Sequence, residues 1–178
     1  MADLDGIFKA YDVRGLVPDQ LDEPLVERIG ASYARFLIGG TEGEVAPSRV
    51  LVGRDMRPSG PGFVAAFARG VTSQGLDVVD LGLCSTDEVY FASGSMDAPA
   101  AMFTASHNPA GYNGIKFCRS GARPLGLDSG LDRVRDDARA DRERDAPHER
   151  ALEEQGALED PLERGGQKAH IGALAAEH

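Results

Sequence analysis

Ser106, His107 and Lys116 fall within the stretch MFTASHNPAGYNGIKF at 102–117. A serine hydroxyl is a weak nucleophile and needs a base, a metal ion or donors aimed at the charge that develops on attack. His107 is poorly suited to be that base as a sequence neighbour, because adjacent side chains in an extended segment diverge. The pattern GxSxG is absent, which disfavours the strained serine elbow of α/β-hydrolases. Phosphoryl transfer suits these residues better, since it demands little covalent chemistry and much positioning. Its requirements are cations and backbone donors around the phosphate, a metal bridging its oxygens, and a group that moves a proton. Lys116 answers as the cation or, if desolvated, as general acid/base. Taken alone, Ser-His-Asn-Pro also reads as a capping turn and Lys116 as a solvated strand lysine.

Helical and strand-like periodicity alternate through the first 127 residues, the pattern of layered α/β folds. Asp22 reads as the N-cap of a helix carrying Leu25, Ile29, Tyr33 and Phe36, ended by Gly39-Gly40. Val50–Val52 reads as a buried strand leading into GRD. Ser59 reads as the cap of a second helix with Phe63, Phe67 and Val71 on one face, closed by Gly75. LDVVDL follows as a strand, a third helix starts near Ser85 with Val89 and Tyr90, and APAAMF runs into the serine. The expected fold is a three-layer α/β/α domain with a mixed, mostly parallel sheet. Right-handed crossovers then put the serine at the carboxyl end of a strand, where ligands bind in such folds. Asn113-Gly114 is expected to form a tight turn. In the strand after it, Ile115 and Phe117 share the buried face while Lys116 and Cys118 point the other way, aiming Lys116 back toward the Ser106 loop.

The chain has 178 residues and a net charge of −10, which argues against nonspecific binding to nucleic acid, where Lys and Arg must neutralise phosphates. No apolar run approaches the ~18 residues that a membrane span requires. No basic-then-apolar leader opens the sequence, so a cytoplasmic location and no membrane partner are expected. Cys84 and Cys118 lack metal or redox spacing and read as reduced thiols. From Asp128 on the chain carries 14 acidic against 8 basic residues and no Phe, Tyr or Trp. DSGLDRVRDDA reads as a helix with Leu131, Val134 and Ala138 on one face. Beyond it the apolar positions thin out, so residues 1–137 are expected to form the domain and 138–178 a charged helical or disordered tail. That abrupt change suggests a shifted or prematurely ended reading frame in the encoding gene.

Three stretches together resemble one family. TASHNP at 104–109 followed by YNGIK at 112–116 is similar to the active-site serine loop of the α-D-phosphohexomutases, the phosphomannomutase/phosphoglucomutase family. FKAYDVRG at 8–15 resembles that family's N-terminal motif, and GRDMRPSG at 53–60 its GRDxRxSG stretch. The resemblance covers residues 7 to about 134 and only the family's first domain. It implies a phosphoserine enzyme that moves phosphate between the 6- and 1-positions of a hexose phosphate, an isomerase by class. It makes Ser106 the phosphoserine and, through its phosphate, a ligand of Mg²⁺. It further implies that Lys116 transfers protons, that Tyr11 and Arg14 lie near the phosphorylated serine, that His107 serves acid/base work or substrate contact, and that Asn108 shapes the loop. A hexose 1,6-bisphosphate is the implied activator and hexose phosphates are the implied small-molecule partners. Arg54, Asp55 and Arg57 read as structural, holding the loop after their strand by charge-assisted hydrogen bonds.

The departures from the family are as specific as the matches. The family's metal loop of the DGDxDR type is absent, and the nearest stretch, DDARADRERD at 136–145, lacks the glycine that lets such a loop turn tightly around a cation. It reads as helix surface. Most Mg²⁺ ligands are then expected from a second domain, and the chain by itself is expected to be an incomplete and inactive mutase. Two other readings stand beside this one: a noncatalytic phosphate- or partner-binding domain of the same fold, and a serine hydrolase using Ser106.

Overall fold

In the computed structural model, residues 3–40 and 45–141 are described, and all of them belong to one compact unit, Met1–Arg142. Of the expected tail, 138–178, residues 138–141 are helical in this unit, and the rest, with the reading-frame expectation attached to it, lies outside the described residues. The elements in chain order are α1 (Leu4–Ile7), β1 (Val13–Leu16), α2 (Glu23–Gly39), β2 (Arg49–Arg54), α3 (Gly60–Ser73), β3 (Asp77–Leu83), α4 (Thr86–Met96), β4 (Ala100–Phe103), β5 (Tyr112–Arg119) and β6 (Arg123–Pro124). A 3-10 turn at Leu127–Ser129 leads into α5, helical over 131–141. None of the helices among the described residues is long and apolar enough to cross a membrane.

The sheet runs β1-β5-β4-β2-β3, with β6 against β5. It is mixed, as expected, but its parallel part is the β4-β2-β3 core alone; every pairing that β5 makes is antiparallel. The reason lies in the connections. Helices α3 and α4 carry the chain back across the sheet, whereas β4 returns through a short loop directly into β5, and such a connection joins antiparallel neighbours.

Strand alternation divides the core. Val50, Val52, Ala101, Phe103, Ile115 and Phe117 face the large cluster under α2, α3 and α5. Leu51, Ala100, Met102 and Cys118 face α4 through Val89. Within the large cluster Tyr33, Phe67 and Phe117 meet at tilted angles and Phe103 meets Phe67 edge-on, and the Tyr33 hydroxyl donates to the Cys118 carbonyl at 2.7 Å. Burial pushes the Tyr33 phenol well above its usual pKa, so it serves as a neutral donor. The two cysteines are free, and burial raises both thiols, which makes them weak nucleophiles.

The expected caps hold with one exception. Asp22 accepts from Leu25 N at 2.9 Å, and Ser85 closes a reciprocal capping box with Glu88. Ser59 does not cap α3. It adopts helical torsions and its hydroxyl instead accepts from Asn113 Nδ2 at 2.8 Å.

The interface of α2 and α3 depends on small residues. A Cβ at Gly70 would run into the Glu27 carbonyl oxygen and the Ala31 amide, and one at Gly30 into the Phe67 carbonyl. These obstacles are backbone and cannot swing aside, so Gly70→Ala should push the helices apart. We expect about 2 kcal/mol of lost stability, read as a lowered urea midpoint at unchanged slope.

Leu131, Val134 and Ala138 of α5 are fully buried, as their spacing predicts. The helix is clasped by charge as well: Arg35 on α2 reaches Asp137 at 2.6 Å and also pairs with Asp141. The charged residues Asp136, Asp137, Arg139 and Asp141 of the acidic stretch thus lie off the buried face of α5, which Ala138 occupies, while 142–145 lie outside the described residues.

Candidate functional site

The site begins with one aligned row of the sheet, Arg54, Phe103, Ile115 and Val13, at the carboxyl ends of β2 and β4. Phe103 leads into a loop over 104–111 that returns as β5. Asn113 and Gly114 are not the turn. They lie inside β5, paired with Gly15 and Arg14, and neither has positive φ. Gly114 is required for another reason: a Cβ there would strike the Val13 carbonyl, with the Thr104 carbonyl 3.0 Å away. Asn113 is fully buried, spanning from Ser59 to the Gly114 amide. A turn signal and a strand that needs a small residue look alike in one sequence.

The true bend is at the serine. Ser106 has φ +53, a left-handed conformation that L-residues other than Asn and Asp rarely adopt. Its amide donates to Thr104 Oγ1 at 3.0 Å, and Asn108 closes the bend by donating to the Ala105 carbonyl from both its amide (3.0 Å) and its side chain (2.8 Å). Asn108 therefore shapes the loop, while Ser106 and His107 are exposed. The bend also overturns the expectation that His107 diverges from Ser106: Oγ and Nδ1 are 3.3 Å apart. The expectation assumed extended backbone, and a left-handed residue rotates successive side chains toward the same side.

Beneath the loop lies Arg57, 8% exposed. Its Nη1 donates to the carbonyls of Pro109 (2.9 Å) and Tyr112 (2.6 Å), and its Nη2 to those of Ser106 (3.1 Å) and Asn108 (2.8 Å). Nε is 3.3 Å from Asp55 Oδ2, and Asp55 Oδ1 accepts from the Arg57 amide at 3.0 Å. Arg57 was expected to hold the loop after its own strand. It holds the serine loop, and Asp55 balances its charge.

A second group lies on the α4 face of the sheet. Asp12 stands one residue before β1, at the register position opposite Lys116. One oxygen of its buried carboxylate serves both Arg14 Nη2 (2.6 Å) and Lys116 Nζ (3.3 Å). Alternation puts Lys116 on the face away from Ile115 and Phe117, as expected, and its hydrogen bond goes to Asp12 rather than to Ser106. Asp12 is thus a member of this cluster that the family resemblance did not single out, and its i, i+2 spacing with Arg14 is the sequence signal that points to it. Tyr11 is 68% exposed and is no part of the core. Burial, with Cys118 and Asp12 adding to it, raises the Tyr90 phenol, so the cluster gains no further anion from it.

The loop and the cation cluster meet through backbone: Thr104 N donates to the Gly114 carbonyl at 3.0 Å, and Gly114 pairs with Arg14. Together they present an exposed hydroxyl, an adjacent imidazole and two cations anchored by one carboxylate. That set can hold a phosphate and pass a proton. It does not fit a magnesium shell of its own. Among the described residues no group of three or more His, Cys, Asp or Glu could hold a metal ion, and Asp12 and Asp55 are engaged by cations.

Comparison with known proteins agrees with this geometry. Residues 5–144 match the family model described as phosphoglucomutase/phosphomannomutase, alpha/beta/alpha domain I. The chain is 44% identical over 135 residues to a protein of Xanthomonas campestris pv. campestris named "Phosphohexose mutases", a match covering 75% of this chain and 28% of that protein. It is 41% identical over 125 residues to a Klebsiella pneumoniae "Phosphomannomutase", covering 70% of this chain and 74% of that one. A crystal structure of a phosphoglucomutase/phosphomannomutase family protein from Burkholderia thailandensis superposes with a TM-score of 0.65 at 35% identity, over 78% of this chain and 31% of that chain. With a match over most of its length to the family model, the chain belongs to the phosphoglucomutase/phosphomannomutase family and carries that family's domain I.

Proposed function

We propose that this domain is the phosphate-carrying part of a phosphohexomutase, with Ser106 as the residue that accepts and returns the phosphoryl group. The observation that carries the reading is the left-handed Ser106, its exposed hydroxyl 3.3 Å from His107 Nδ1, on a loop strung on a buried arginine. A chain accepts backbone strain at an exposed serine where the side chain's direction matters.

In the forward step the Ser106 Oγ–phosphorus bond forms as the sugar oxygen–phosphorus bond of a hexose 1,6-bisphosphate breaks. His107 takes the serine proton, and the departing sugar oxygen receives one from an acid of the site. Lys116 is the group assigned to proton transfer on the sugar side, with Arg14 and Tyr11 flanking the phosphate. Run in reverse at the other sugar oxygen, the same exchange moves phosphate between positions 6 and 1. Hexose phosphates are then the partners, and a cytoplasmic location goes with that chemistry. A magnesium ion would meet the described residues only through the Ser106 phosphate, and no step is assigned to it. For this chain the step is phosphate acceptance and return; among the described residues no group of three or more His, Cys, Asp or Glu offers a metal shell.

Incubation with glucose 1,6-bisphosphate followed by intact-mass and peptide analysis tests the reading. One phosphate per chain, located on Ser106 and missing from Ser106→Ala, is the expected result. No adduct would instead favour a noncatalytic domain of the same fold, and labelling of Ser106 by an acyl-serine reagent would favour the hydrolase.

A further inference from the structure

We infer that Arg57 is a positioning residue, and that its guanidinium imposes the left-handed conformation at Ser106 by drawing four loop carbonyls onto one cation. The inference rests on the phosphoserine reading for its consequence and on the geometry of the loop for its cause.

The carbonyls of Ser106, Asn108, Pro109 and Tyr112 all converge on Arg57. Carbonyl dipoles turned toward a common point repel one another, and in a free loop each would be hydrated separately. A buried cation reverses this, because each inward oxygen then gains a charge-assisted hydrogen bond. Ser106 presents its carbonyl inward to Arg57 Nη2 while its φ is +53. With the carbonyl turned toward Arg57, the hydroxyl is left on the exposed side beside His107. Arg57 is itself fixed by Asp55, which accepts from its amide and stands 3.3 Å from its Nε as an ion pair. The serine's aim is therefore set from the end of β2, an element that contributes no group to the chemistry.

Lysine cannot replace this fork. Its three donors leave from a single nitrogen and cannot reach two pairs of carbonyls spread along a planar guanidinium. In the full chain, Arg57→Lys and Arg57→Gln should speed exchange of the Asn108 and Tyr112 amides at least about tenfold, while the Leu51 amide, bonded to Pro99 in the sheet, changes less than about twofold. The Ser106 ¹³Cα shift should leave its left-handed value, and phosphorylation by glucose 1,6-bisphosphate should slow by about a hundredfold. Exchange rising equally in loop and sheet would mean that Arg57 merely holds the fold, and an unchanged loop would overturn the inference outright. Should the variants fail to fold, the wild-type chain still decides: slowly exchanging Arg57 guanidinium protons with couplings to the four carbonyl carbons are expected, and their absence refutes the fork. A wild-type chain that takes no phosphate would sink the phosphoserine reading and leave the loop measurements to judge Arg57 alone.

Discussion

Ser106→Gly should abolish phosphate acceptance and at the same time make the domain more stable. The loss is complete because no other exposed hydroxyl is held at the bend beside His107. The gain follows from φ +53 at Ser106. An L-residue in the left-handed region costs roughly 1–2 kcal/mol, while glycine costs roughly 0.5–1 kcal/mol more in chain entropy on folding. Strain relief is the larger of the two, so the net gain should be about 0.5–1 kcal/mol. Thermal unfolding would show a midpoint higher by a few degrees, and Ser106→Ala, which keeps the strain, would not show it. A glycine variant that unfolds earlier than wild type would mean that Ser106 carries no backbone strain. The opposed signs matter, since they separate a residue kept for chemistry from one kept for structure.

Asp12→Ala is the substitution with the largest expected cost to stability. A single carboxylate oxygen at 7% exposure of its residue partners both Arg14 and Lys116. Removing it leaves two cations side by side with no anion between them. Breaking one buried pair by deleting a partner costs about 3–5 kcal/mol, and because Arg14 and Lys116 keep 24% and 28% of their side chains in water, about 2–3 kcal/mol is expected here. Asp12→Asn preserves the shape and one acceptor but no charge, and should cost about half as much. Both should slow Ser106 phosphorylation by about tenfold or more, because Lys116 and Arg14 lose the group that fixes their direction. Adding Lys116→Met to Asp12→Ala removes one of the stranded cations and should restore part of the stability, without restoring phosphorylation. Additive losses in the double variant would show that the two side chains do not act on each other.

Much of this protein could be read from its residues in order, because the signals are local. Asp22, Ser85 and the apolar spacing of α2, α3 and α5 declare helices through contacts within a few residues. The runs around Val50 and Ala100 declare buried strands, and the Ser-His-Asn-Pro stretch with its two companion motifs declares the family and the candidate nucleophile. The misreadings occur where a local signal has a distant cause. Asn113-Gly114 carries turn chemistry, yet its glycine is there because the Val13 and Thr104 carbonyls leave no space for a Cβ. Ser59 has the type and position of a cap, yet its hydroxyl is taken by Asn113 from β5. His107 is adjacent to Ser106 in any conformation, and only a left-handed bend makes adjacency into contact. The order of residues determined which hydroxyl, which imidazole and which cations are available. What the tertiary structure alone decided is how they are aimed: Arg57 reaches the serine loop from the end of the neighbouring strand β2, and Asp12 gathers Arg14 and Lys116 from two strands. Partners so far apart in the chain meet only when the strands pair, and charge and hydrogen-bond geometry act through space and leave no periodic trace in sequence.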